Sequence, residues 1–296
     1  MHIRATTEEI AAVRARFDLL TAGVPDLPAD SDQAPALPGA GGLPGQWVNV
    51  SGRSGTDAGV VLYVHGGGFA HTEPRAERLL AYHLSKATGR PVFAIDYRLA
   101  PAHPYPAPLH DVLAAHDDLL TRGAAEVVLF GESAGGTLVL SALLALKAAG
   151  KPLPRAVAVS PVTDLTLSSL SPRADDGQDL INRAVLERVC AQYLAGARPD
   201  QAPQSPLHGD LAGLPDLLLV AGSREVLADD VRRFAAAAES AGTHAALDVY
   251  EGMPHVFHLA MLTGTPLTTT TTFLRRLADF TNGRSACESL KENRCA

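Results

Sequence analysis

No apolar run in the sequence approaches the roughly 18 residues that would span a bilayer, so nothing in it reads as a membrane segment. Basic clusters are absent too, and the formal net charge is −7. That argues against nucleic acid or an anionic lipid surface as partner. Cysteine is scarce: Cys190, Cys287 and Cys295 are odd in number and lack metal-ligand spacing, and read as reduced thiols. No apolar leader opens the sequence. Met1-His2-Ile3-Arg4 runs into a charged helix, so the expected location is cytoplasmic. Internal repeats are missing as well. What remains, 296 residues with 46% hydrophobic and 19% charged side chains, suffices for one sizeable core, as a single large domain or a domain with a small cap.

Periodicity supplies the architecture. Short apolar, β-branched runs predict strands over 46–50, 59–64, 91–96, 127–130, 155–160, 217–221 and 245–250. Helical spacing predicts helices over 7–22, 75–88, 107–122, 137–147, 179–195, 229–241 and 268–281, the first with a possible Thr6/Glu9 capping box. Strands alternating with helices give an α/β fold, a mostly parallel sheet covered on both faces. Residues 161–210 break that alternation, and an insertion of this length between strands suggests a small helical cap, built with residues 1–45. The domain is expected to span 1–281, with 282–296 a disordered tail that lacks periodicity. Gly39-Ala40-Gly41-Gly42 has no strand before it and no helix after it, so it does not read as a phosphate loop.

The chain is organised around Gly131-Glu132-Ser133-Ala134-Gly135-Gly136, between the strand Val127-Val128-Leu129-Phe130 and a helix apolar almost all round. A serine with glycine at minus two and plus two fits the nucleophile elbow of α/β-hydrolases. The turn is sharp, and a Cβ on either side would strike the adjoining strand or helix. A hydroxyl is a weak nucleophile near neutral pH and needs a base. On this fold the order is serine, then carboxylate, then histidine, each after a strand. His255 follows the last strand in Glu251-Gly252-Met253-Pro254-His255; His258 is the rival, at what reads as a helix start over 256–262. Glu225 is the first carboxylate past the preceding strand. Asp229 and Asp230 are the alternatives, with a sufficient role as helix-opening residues. His65-Gly66-Gly67-Gly68 follows a strand and precedes a helix, so its free N–H groups, with that of Ala134, could receive an oxyanion. His65 itself reads as a support for the glycine loop.

These motifs resemble the bacterial hormone-sensitive-lipase-like (family IV) carboxylesterases. The resemblance runs from about residue 46 to 281. It is carried by His65-Gly66-Gly67-Gly68-Phe69, Asp96-Tyr97-Arg98-Leu99-Ala100-Pro101, His103-Pro104, Pro106-Ala107, the elbow hexapeptide, Ser160-Pro161 with Asp164, and Gly252 to His255. It implies the α/β-hydrolase fold with Ser133, Glu225 and His255 as triad and Gly67, Gly68 and Ala134 as oxyanion donors. Phe69 and His71 would touch substrate. No metal or organic cofactor is implied, and the expected partner is a small-molecule ester or lactone. Three departures stand out. Ala102 replaces the usual glutamate after Ala-Pro, which bears on how that loop is anchored. The acid is glutamate where aspartate before Pro-Leu is more frequent. His71 and Glu73 are polar where small apolar and serine residues are usual, either as exposed loop residues or as a polar wall of the pocket.

The implied activity is a serine hydrolase acting through an acyl-enzyme on small to medium esters or lactones. Two alternatives share the sequence features: acyl transfer, cyclisation or deacetylation in a biosynthetic pathway with the same triad, and a non-catalytic receptor on the same fold. Acyl and alcohol preference and oligomeric state have no signature in the sequence.

Overall fold

Continuous apolar strands and one-sided helices can bury their surfaces only in layers, and the computed structural model has that arrangement. It describes residues 1–4, 6–8, 11–13, 23–28, 44–171, 179–264 and 267–283. In chain order the elements are β1 (His2–Ile3), β2 (Gly45–Val48), α1 (Gly55–Ala58), β3 (Val60–Val64), α2 (Pro74–Thr88), β4 (Val92–Ile95), α3 (Ala107–Thr121), β5 (Val127–Glu132), α4 (Ala134–Ala148), β6 (Ala156–Val159), α5 (Arg183–Leu194), β7 (Leu217–Gly222), α6 (Ala228–Ser240), β8 (Ala245–Tyr250) and α7 (Thr268–Thr281). Short 3-10 turns occupy Pro206–His208 and Phe257–Thr263. Among the described residues, no helix is long and apolar enough to cross a membrane.

The eight strands run in the order β1-β8-β7-β6-β5-β3-β4-β2, all parallel except β2, which pairs antiparallel with β4. Strand side chains alternate between the two faces. Val60, Leu62 and Val64 therefore join α3, α4 and α6 in one core, while Val61 and Tyr63 join α2 and α7 in the other. α4 is buried almost all round because it lies within the first of these layers. Mid-sheet strands buried on both faces explain why they read as unbroken apolar runs.

Two elements had no counterpart in the sequence reading. β1 is two residues long and is set by its pairing with Val249 and Tyr250 far along the chain; so short a strand carries no period. α1 is a single turn capped by Ser54, whose side chain accepts the Thr56 N–H. The helix expected over 256–262 is a 3-10 segment instead. Of the helix expected over 7–22, Thr7–Glu8 and Ala11–Val13 are helical, and its other residues lie outside the described ones. So do residues 29–43, Cys287, Cys295 and the tail from 284.

Register decides what meets at the carboxyl edge, where ligands of open parallel sheets bind. Val64 of β3 pairs with Gly131 of β5, so His65-Gly66-Gly67 and Glu132-Ser133 leave the sheet side by side. Gly222 of β7 pairs with Tyr250 of β8, so the segments carrying Glu225 and His255 also emerge together. Those two are tied by the Ser223 N–H to the Tyr250 carbonyl at 2.9 Å and the Arg224 N–H to the Met253 carbonyl at 3.0 Å.

Candidate active site

Ser133 sits between β5 and α4 with φ +51° and ψ −123°, a conformation a side chain enters only at a cost of about 1–3 kcal/mol. Close approach explains the flanking glycines. A Cβ on Gly131 would lie 2.4 Å from the Gly135 carbonyl oxygen, and one on Gly135 only 2.0 Å from that of Val64. The Ser133 N–H donates to the Val159 carbonyl at 2.8 Å, which fastens the turn to β6. The hydroxyl is thereby raised to the floor of a cavity.

His255 Nε2 lies 3.0 Å from Ser133 Oγ. Its other ring nitrogen, Nδ1, faces Glu225 Oε2 at 3.4 Å, an ion-pair contact longer than a full hydrogen bond. Glu225 is completely buried. Burial raises its carboxyl above the usual carboxylate range, and the His255 imidazole draws it back only in part. Serine, histidine and glutamate thus form one line, delivered by the ends of β5, β8 and β7.

The rival residues have other partners. His258 Nε2 faces Glu132 Oε2 at 2.9 Å. That carboxylate also accepts the Tyr63 hydroxyl at 2.7 Å and the Gly66 N–H at 3.4 Å. Burial, the largest single influence, works against the charge on Glu132, but the contacts with His258, Tyr63 and the Gly66 N–H together outweigh it and hold the carboxyl below its usual value. Asp229 pairs with Arg232 at 2.8 Å. Asp230 does sit in the first turn of α6, as expected, but it is buried, and its Oδ2 accepts the Thr163 N–H at 2.6 Å. Burial pushes its pKa up to about 7.

The glycine loop lies against Ser133. Gly67 and Gly68 take φ values of +91° and +62°, and a Cβ on Gly67 would meet the His71 carbonyl oxygen at 2.1 Å. His65 stacks on Tyr97 with ring centres 4.2 Å apart, and its Nδ1 lies 2.9 Å from the Gly66 carbonyl oxygen. The Tyr97 hydroxyl donates to the carbonyls of His65 and Gly66 at 2.9 and 3.2 Å. Despite Ala102, the following loop is well anchored. Arg98 grips Asp111 through its guanidinium and its own N–H, and the Tyr105 N–H donates to the Tyr193 carbonyl at 2.7 Å.

Ser133, Gly67, Gly68, Ala134 and His255 line a cavity of about 800 Å³. α5 closes one side with Val185, Leu186 and Val189, and Leu259 adds to the apolar lining. Polar His71, Glu73, Arg188 and Gln192 also line it. Phe69 touches the cavity, but its ring is buried and stacked on Tyr193 of α5 at 3.9 Å. His71 is exposed.

A family profile described as the α/β-hydrolase fold matches residues 61–259. The chain belongs to this family. Within it, this α/β-hydrolase is of the hormone-sensitive-lipase-like esterase type. It is 41% identical over 217 residues to an acetyl-hydrolase of Streptomyces hygroscopicus, covering 72% of each chain. A solved variant of the esterase E40 superposes with a TM-score of 0.81 at 32% identity, covering 94% of this chain and 97% of the other. A solved esterase of the bacterial hormone-sensitive lipase family gives a TM-score of 0.74 at 32% identity, covering 95% and 99%.

Three features of this α/β-hydrolase's site had no part in the sequence reading: the Glu132–His258 pair, the apolar wall from α5, and Asp179 beside the last two loops. Glu132 lies inside the elbow, where the glycines and the serine carry the signal for the turn and nothing in the local pattern points to His258, far along the chain. Asp179 and the α5 residues lie in the stretch without strand–helix alternation, so no period relates them to the sheet edge.

Proposed function

We propose that the chain hydrolyses small to medium carboxylic esters or lactones through an acyl-enzyme on Ser133. The observation that carries this is the 3.0 Å contact of Ser133 Oγ with His255 Nε2, backed by buried Glu225 on the other side of the ring. Ser133 Oγ attacks the carbonyl carbon while His255 takes the hydroxyl proton. The carbonyl oxygen takes up the displaced electron pair and rests on the N–H groups of Gly67, Gly68 and Ala134. Such donors stabilise charge that exists only in the transition state, each by about 10²–10³ in rate. Collapse expels the alcohol, which leaves with the proton from His255. Water, deprotonated by the same ring, then releases the carboxylic acid. Glu225 holds the imidazole in one orientation and stabilises its cation. No metal or organic cofactor enters the scheme.

The cap expected from residues 161–210 is supported by the α5 side chains in the cavity; of the expected contribution from 1–45, His2–Ile3 instead extends the sheet as β1, and most of the rest lies outside the described residues. Val185, Leu186 and Val189 give the acyl group an apolar wall, with Phe69 behind it, and His71 meets the polar part of the substrate. Deacetylation of a small molecule is the narrower second reading, favoured by the likeness to an acetyl-hydrolase. The receptor reading loses support because nucleophile, base and acid positions are all filled and in contact.

The test is covalent labelling with an organophosphonate, alongside turnover of acetyl to hexanoyl esters, lactones and acetylated alcohols. The label is expected on Ser133, with Ser133→Ala unlabelled and slower by several orders of magnitude. A label on another serine, or near-normal turnover by the variant, overturns the reading.

A further inference from the structure

We infer that Asp179 is a positioning residue that fixes the acid and base loops against each other through its two carboxylate oxygens. Oδ2 accepts the N–H of Val226, the residue after Glu225, at 2.7 Å. Oδ1 accepts the N–H of His255 itself at 2.7 Å, and that of Leu180 at 2.8 Å. One side chain thus reaches the backbone of both segments that carry the proposed acid and base. This inference rests on the esterase reading and extends it.

The need for such a clamp follows from the local geometry. Glu225 and His255 lie beyond the ends of β7 and β8, where the regular ladder has stopped. Their side chains meet at 3.4 Å, so a small shift of either loop would break the contact. Hydrogen bonds to an ionised acceptor are short and roughly twice as strong as neutral ones, which suits a part that must hold two loops at once. The placement also has an electrostatic cost. Burial, chiefly, and the nearby charge of Asp179 both raise the Glu225 carboxyl. Two carboxylates are thus kept close together at a site where the backbone contacts of one of them set the position of the other.

Asparagine separates this role from mere space filling. It keeps the volume of aspartate but has one acceptor oxygen. In either orientation its NH₂ group opposes a backbone N–H, so one of the two loops is released.

The experiment compares wild type, Asp179→Asn and Asp179→Ala on p-nitrophenyl butyrate, with active sites counted by organophosphonate titration and Tm measured in parallel. The expectation is that both variants lose about 10- to 100-fold in kcat per titrated site, the scale of a misplacement near 1 Å. KM should change by no more than about threefold, because the cavity is untouched. Asparagine should do no better than alanine. If Asp179→Asn lowers Tm while kcat per site stays within about twofold of wild type, Asp179 only supports the fold and the inference is overturned. Rescue by asparagine of the alanine loss would likewise overturn the two-oxygen bridge. Should alanine fail to fold, asparagine against wild type decides alone. A wild type that turns over no ester removes the esterase reading, and this inference with it; an active wild type matched by asparagine removes the inference only.

Discussion

Glu132, the residue immediately before Ser133 in the chain, and His258 form a buried pair 2.9 Å apart. The same carboxylate holds Tyr63 of β3 and the Gly66 N–H of the glycine loop. One side chain therefore links the elbow, the glycine loop and the turn after β8.

Removing one partner of a buried pair leaves the other charge or dipole uncompensated. Glu132→Ala should therefore cost about 3–5 kcal/mol of stability, read by urea unfolding. The pH dependence has a definite sign. The folded-state carboxyl lies below its ordinary value of 4.5, so its contribution is present above that value and is lost as pH falls through the lower folded-state value. The stability gap between wild type and Glu132→Gln should accordingly narrow on acidification below about 4.5. A gap that is constant from pH 7 downward would show that His258 gains nothing from the charge.

The assignment of the acid separates Glu225 from Asp229. Glu225→Gln keeps size but removes the charge beside His255 Nδ1, and should lower kcat by about 10²–10⁴. Asp229→Asn breaks only a half-exposed pair with Arg232, so its effect should stay within about 1 kcal/mol of stability with kcat unchanged. Steady-state kinetics on both variants checks this; a crippled Asp229→Asn beside a normal Glu225→Gln would reverse the assignment.

Asp230 gives the opposite pH behaviour to Glu132. Burial lifts its pKa from 3.8 to about 7. The folded state then holds a proton that the unfolded chain releases, so its contribution is full below about 3.8 and declines as pH rises towards 7. Asp230→Asn keeps an acceptor for the Thr163 N–H and has no charge to bury. Relative to wild type it should gain stability steadily from pH 4 to 7, on the order of a few kcal/mol in total, and level off above. Unfolding free energies of both proteins at pH 4, 5.5, 7 and 8 measure it. A difference that stays flat from pH 4 to 8 would mean the folded-state carboxylate is ionised and satisfied throughout.

Local pattern made much of this protein legible. Unbroken apolar runs marked β3 to β7, because strands buried on both faces need apolar side chains at every position. The elbow was legible because its glycines answer to atoms in adjoining segments that close on them: the Gly135 backbone for Gly131 and the β3 carbonyls for Gly135. Placing the histidine and carboxylate candidates after β7 and β8 needed only the topology of a parallel sheet, which sends every such loop to one edge. β1 was not legible, since two residues cannot show a period and its pairing partner lies at the other end of the chain.

The sequence by itself determined the layered α/β fold, the serine turn, the glycine loop and the edge at which they meet. Tertiary structure decided which of the candidates touch. His255 and His258 stand three residues apart, yet one faces Ser133 and the other Glu132. Asp230 opens α6 as its position suggests, but only the packing turns its buried carboxylate onto the backbone of Thr163. Asp179, in the stretch that breaks the strand–helix alternation, reaches two loops that follow it by 47 and 76 residues. Helix and strand periods are set by backbone geometry within a few residues, so they show in the sequence. Contacts between loops depend on how whole elements pack, and no local spacing encodes a distance across the sheet edge.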